Sequence, residues 1–257
     1  MSHGPDTSQA PAGQTPPGLF SKRAIQAAWA LHVFTASGVI VGFIGLTSVV
    51  EGHARAAILW LVGAMVLDGI DGPIARKIEV SKRLPNIDGN SLDLIVDYFT
   101  CTIVPVAFLD KFDILPAHTI GPIAFVILLT GALWMARTDM ETDDNWFRGF
   151  PAEWNVIIPT LYLLDENQWF NVAICGLLCA ASVTYRFEFP HTVRVVEYRK
   201  ISLAAMVLWL GSMTALAIQQ DHKSQWLRYV LIAAPMWTLW QVVRRYAQQR
   251  AERMTAV

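Results

Sequence analysis

The chain has 257 residues, of which 54% are hydrophobic and only 16% charged, against about 25% charged in an ordinary soluble domain. Its net charge of −1 excludes, at the level of overall charge, a basic nucleic-acid surface or a strongly acidic partner. Ten tryptophans suit aromatic anchoring at a membrane interface as well as core packing.

Residues 1–20 are rich in Pro, Gly, Ser and Gln and read as a disordered tail, not a cleavable signal, which needs positive charge followed by an apolar core. From there the apolar runs predict helices at 24–50, 54–77, 91–110, 119–138, 152–164, 169–187, 199–219 and 226–247, with 248–257 as a short tail. A span takes roughly 17–25 apolar residues, so the fifth, interrupted by Pro159, is short. Charge decides in its favour. With eight spans, sixteen of the twenty Lys and Arg fall on one side, including Arg76, Lys77, Lys82, Arg83, Arg186, Arg194, Arg199 and Lys200. Lys and Arg collect in cytoplasmic loops, which predicts both termini in the cytoplasm; seven spans break the alternation. No series of alternating ten-residue segments suggests a barrel. The expected fold is all-α, a polytopic membrane helix bundle whose catalytic domain covers 21–247. Cys101, Cys175 and Cys179 sit in apolar runs and read as small buried hydrophobes. P-loop, HExxH, nucleophile-elbow and dinucleotide patterns are all absent from the sequence.

The stretch 67–97, LDGIDGPIARKIEVSKRLPNIDGNSLDLIVD, breaks the apolar pattern at the cytoplasmic ends of the second and third spans. Asp68 and Asp71 are three apart and Asp93 and Asp97 four apart, so each pair shares a helix face. Two antiparallel helices bring those faces to one depth, where four carboxylates repel unless cations are present. A hard divalent cation with oxygen ligands, Mg²⁺ or Mn²⁺, resolves the conflict, and four carboxylates suit two ions. Gly72 and Ala75 leave room beside them, Arg76 supplies a planar cation for phosphate oxygens, and Gly89 lies one turn before Asp93. Together they predict a metal-bound phosphate anhydride at the cytoplasmic face. Asp88, outside the set, reads as a loop or capping residue. A divalent-cation transporter is the alternative from another class, although it favours carboxylates nearer the bilayer midplane.

Asp68-x-x-Asp71-Gly72-x-x-Ala75-Arg76 followed by Gly89-x-x-x-Asp93-x-x-x-Asp97 resembles the signature of the CDP-alcohol phosphotransferase family at all eight positions. The resemblance implies a six-helix core and transfer from a CDP-linked donor to an alcohol, with release of CMP. It implies one metal on Asp68, Asp71 and Asp93 and a second on Asp68, Asp93 and Asp97. Asp93, shared by both, and Asp97, the general base for the acceptor hydroxyl, become the catalytic pair. Gly72, Ala75 and Arg76 then line the CDP portion, and Gly89 keeps space near it.

Twelve residues separate Arg76 from Gly89, where most of the family has eight or nine. This spacer, the eight spans and the segment Phe147–Asn155 (FRGFPAEWN) are similar to a bacterial branch that uses choline as acceptor. The resemblance thus implies CDP-diacylglycerol, choline and membrane lipids as partners, a bacterial inner membrane, and room for a homodimer. Aromatic faces and a carboxylate suit a quaternary ammonium; candidates at the right depth are Trp134, Trp146, Trp154 and Tyr185, with Glu153. Serine and glycerol 3-phosphate remain alternative acceptors, and the shared Asp, Gly and Arg residues do not separate them.

Overall fold

The computed structural model describes residues 20–184, 186–219 and 224–255; the expected N-terminal tail, apart from Phe20, lies outside them. Its order is α1 (Lys22–Val50), α2 (Ala54–Lys77), α3 (Val80–Arg83), α4 (Gly89–Asp97), a π-helical turn (Tyr98–Ile103), α5 (Val104–Lys111), α6 (Ala117–Met135), β1 (Trp146–Arg148), α7 (Trp154–Leu164), α8 (Gln168–Val183), β2 (Glu188–Pro190), α9 (Arg199–Ile218) and α10 (Gln225–Thr255). Taking α4, the π turn and α5 as one unit, each expected span corresponds to a helix. Among the described residues, five helices are long and apolar enough to cross a membrane: α1, α2, the 89–111 unit, α6 and α9. Large apolar side chains such as Val33, Ile40, Phe43, Phe125, Leu133 and Val207 stay exposed on these outer helices, as a surface solvated by lipid requires. The protein is an all-α, multi-pass membrane bundle.

Ser21 starts α1, its side chain accepting from the Ala24 N–H. Along α1, Gly38 and Gly42 lie where a Cβ would meet Val96 at 2.6 Å and Phe99 and Thr100 at 2.9 Å. Missing side chains there let α1 press directly on α4 and the π turn. Asp88 caps α4, accepting from the Asn90 N–H at 3.0 Å and the Ser91 hydroxyl at 2.6 Å, as expected. The π turn ends just before Pro105, which has no N–H for the carbonyl one turn back.

The short α7 is the centre of the molecule. Nine of its eleven residues are buried, and a helix apolar on every side belongs inside a bundle. Ile158 and Leu163 of α7 share a core with Phe108 and Leu109 of α5, Ile127 of α6, Cys175 of α8, Met213 and Leu216 of α9 and Leu231 of α10. Cys175 and Cys179 are buried free thiols and Cys101 is a partly buried one.

Three boundaries differ from expectation by three residues or more. Helix α6 stops at Met135, and α8 stops at Val183 because Thr184 turns extended. In the other direction, α10 continues past 247 to Thr255. The chain freed after α6 and α8 forms β1 and β2, which pair antiparallel with Phe147 opposite Phe189. Strands of three residues are too short for a period-two signal to register. Arg245 of α10 clamps this ribbon, its guanidinium reaching Glu188 at 2.8 Å and Asp144 at 2.9 Å.

Candidate functional site

α2 and α4 bring their acidic faces together as their spacing requires. Asp68, Asp71 and Asp93 each offer a carboxylate oxygen, and these oxygens lie within 4.8 Å of one another. Asp97, one turn below Asp93, lines the same cleft without joining that closest set. A π turn follows Asp97 directly; such turns widen a helix and frequently accompany functional sites.

A cluster of carboxylates with converging oxygens, held between helices of an apolar bundle, fits a hard divalent cation. One second partner comes from outside the acidic stretch. Thr35 of α1 donates its hydroxyl to Asp71 Oδ2 at 2.7 Å, fixing the orientation of a buried carboxylate. Sequence reasoning missed Thr35, because a threonine within an apolar helix carries no periodic signal until its neighbour is known. The close approach of α1 supplies it.

The other motif residues have neighbours of their own. Arg76 folds back over Gly72, and a Cβ on that glycine would sit 3.4 Å from the Arg76 Nη1. Ala75 packs towards the small cluster of Ala28, Leu31 and Val80. Gly89 opens towards α1, where a Cβ would lie 3.2 Å from His32 Cε1. His32 is buried and its Nε2 has no hydrogen-bond partner, so the space at Gly89 is taken up by this imidazole.

The candidates for a quaternary ammonium divide. Trp134 is buried, donates Nε1 to the Arg148 carbonyl at 3.0 Å and meets Phe147 edge-on. Trp146 lies under the Arg245 guanidinium, 5.0 Å from its ring centre, so a cation of the protein itself covers that face. Trp154 is fully buried against Phe150, and its Nε1 is unpaired. Tyr185 lies outside the described residues. Among the described candidates, Glu153, just ahead of α7, lies within Coulombic range of Asp68 and Asp97. Just beyond it, both amide atoms of Asn155 are buried without partners.

Arg194 sits on the opposite charge balance, within Coulombic range of Asp68 and Asp93, and makes a two-point contact with Glu141 at 2.8 and 3.1 Å. Beside it His191 stacks on Phe147 at 5.1 Å. Burial, and then Arg194 and Arg76, depress the His191 imidazole to about 4. It therefore stays neutral near pH 7, with Nδ1 free to accept from the Val193 N–H.

A helix bundle with this constellation is a membrane transferase of the CDP-alcohol type: the chain belongs to the CDP-alcohol phosphatidyltransferase family, which it matches over residues 28–185. Among curated proteins it is similar to a phosphatidylcholine synthase of Pseudomonas aeruginosa, 39% identical over 75% of this chain and 81% of that one. Proteins of the same name from Mesorhizobium japonicum and Brucella melitensis are 37% and 33% identical, over 75% and 82% of this chain and 71% and 72% of theirs.

Proposed function

We propose that the chain is a phosphatidylcholine synthase, moving a phosphatidyl group from CDP-diacylglycerol to choline with release of CMP. The observation that carries this reading is the shared name of relatives that match most of their own length, on a chain with the whole acidic signature. Serine and glycerol 3-phosphate bring anionic groups, which fit poorly beside Glu153 and the four aspartates; a trimethylammonium fits there without donating a hydrogen bond.

Asp68, Asp71, Asp93 and Asp97 would hold Mg²⁺ or Mn²⁺, two ions in all, which when bound neutralise pyrophosphate charge and hold the donor in line. Arg76, beside Gly72, contributes a planar cation to the donor phosphates. Asp97, at the lower end of the cleft, takes the proton from the choline hydroxyl. The choline oxygen bonds to the phosphorus carrying diacylglycerol, the bond from that phosphorus to the CMP oxygen breaks, and CMP leaves as the phosphate. Glu153 balances the ammonium of choline and keeps it near Asp97. The Lys and Arg asymmetry supports a site facing the cytoplasm.

The test is CMP release from CDP-diacylglycerol by purified protein in vesicles, with choline, serine or glycerol 3-phosphate offered separately. Release only with choline and a divalent metal is expected. Release with another acceptor moves the reading to that alcohol, and metal flux without CMP release moves it to a transporter.

A further inference from the structure

Helix α7 starts beside the acidic cleft and runs to the far end of the bundle. A groove of about 540 Å³ follows it. Ile157, Leu161 and Leu164 of α7 form the floor, Leu178 of α8 one wall, and Met206 of α9 with Leu239 of α10 the other. Eleven residues of helix extend about 16 Å, roughly half of a 30 Å hydrocarbon core. The groove therefore has the depth of one leaflet.

Its lining is mostly apolar, and two of its few polar groups are already paired. Midway, Thr160 accepts from Trp209 Nε1 at 2.9 Å, and nearer the site Ser202 accepts from Trp237 Nε1 at 3.1 Å. The rest of the lining there is almost wholly aliphatic and aromatic, so the occupant is a hydrocarbon. Glu153 and Thr192 line the end towards the cleft, and Glu153 lies within Coulombic range of Asp68 and Asp97. The groove thus opens where a headgroup would react. It also opens sideways. α8 packs on α6 while α9 and α10 pack on each other and on α7, and the lip residues Leu177 and Met236 are 68% and 50% exposed. Two of its four helices, α9 and α10, lie beyond the segment 28–185 that matches the family.

Resting on the transferase reading above, the geometry points to this groove as the seat of one acyl chain of the reacting lipid, its glycerol end at Glu153 and its tail running towards Leu164. The lipid enters sideways between α8 and α10, and the chain length of the donor is measured against α7.

The test fills the groove and varies the donor. Ile174→Trp and Ile232→Trp, deeper in the groove, are each assayed for choline-dependent CMP release from dioleoyl and from dihexanoyl CDP-diacylglycerol. Every methylene kept out of an apolar site weakens binding about fourfold, so kcat/KM on the dioleoyl donor falls about tenfold or more. The short donor, which does not reach the added indole, is turned over as by the unaltered protein. An unchanged long-chain rate overturns the inference. A second measurement covers variants that fold poorly: the unaltered protein is photolabelled with CDP-diacylglycerol carrying a diazirine in mid-chain. Label on α8 and α10 peptides, displaced by unlabelled donor, is expected. Label confined to other helices, or not displaced, as for bulk lipid, overturns the inference. Choline-dependent turnover of the short donor stands or falls separately, so loss of the groove assignment leaves the proposed reaction intact.

Discussion

Thr35→Val tests the site through a residue that carries no charge and lies outside the acidic stretch. Valine keeps the size and branching of threonine and deletes only the hydroxyl that donates to Asp71 Oδ2 at 2.7 Å. A hydrogen bond to a charged group contributes about 1.5–3 kcal/mol, which corresponds to roughly 10- to 150-fold in affinity. Partners of ligating carboxylates cost about 10- to 100-fold in metal affinity when removed, so the two estimates overlap. The assay is choline-dependent CMP release as a function of Mn²⁺ or Mg²⁺ concentration. The half-saturating metal concentration is expected to rise at least about tenfold, with Thr35→Ser close to the unaltered protein. A folded Thr35→Val protein whose metal curve shifts less than about twofold refutes the idea that Thr35 orients a ligand.

Asp97→Asn should bind CDP-diacylglycerol normally and lose at least about a hundredfold in transfer, the usual contribution of a general base; turnover near normal removes Asp97 from that role. At Gly149 the backbone has φ +88°, and a Cβ would lie 2.8 Å from the carbonyl oxygens of both Ala181 and Ser182. Those are backbone atoms that cannot swing away, so Gly149→Ala is expected to destabilise by about 2–4 kcal/mol and to lower the apparent midpoint of thermal unfolding in detergent; an unchanged midpoint contradicts the packing. His191 is held near pKa 4 in the folded chain, against about 6.5 unfolded. The unfolded chain therefore takes up the proton first, and stability present above pH 6.5 is lost as pH falls towards 4, by about 3 kcal/mol at most. His191→Phe, which keeps a ring against Phe147, should flatten that part of the stability profile; an identical acid limb in both proteins contradicts it.

The acidic motif was legible because helix geometry converts spacing directly into a face: Asp68 and Asp71, then Asp93 and Asp97, need only a helix to be aligned. The eleven-residue α7 was legible through charge, not hydropathy, since only its presence keeps Lys and Arg on one side. Asp88 was readable as a cap because Asn90 and Ser91 follow it within reach. What escaped depends on which segments meet. Thr35 became a partner of Asp71 only once α1 had packed along α2. The β1–β2 ribbon joins segments about forty residues apart, and neither is long enough to show alternation. The tryptophans escaped for a similar reason. The faces of Trp146 and Trp134 are taken by Arg245 and Phe147, which come from elsewhere in the chain.

The most direct measurement of the central claim is the mass of the lipid formed when purified protein in vesicles receives CDP-diacylglycerol, a divalent metal and an equimolar mixture of deuterated choline, serine and glycerol 3-phosphate. The account predicts phosphatidylcholine that carries the deuterated headgroup and the donor's own acyl chains, absent when metal is chelated. Phosphatidylserine or phosphatidylglycerophosphate in its place, or deuterated phosphatidylcholine formed equally well without metal, would contradict it.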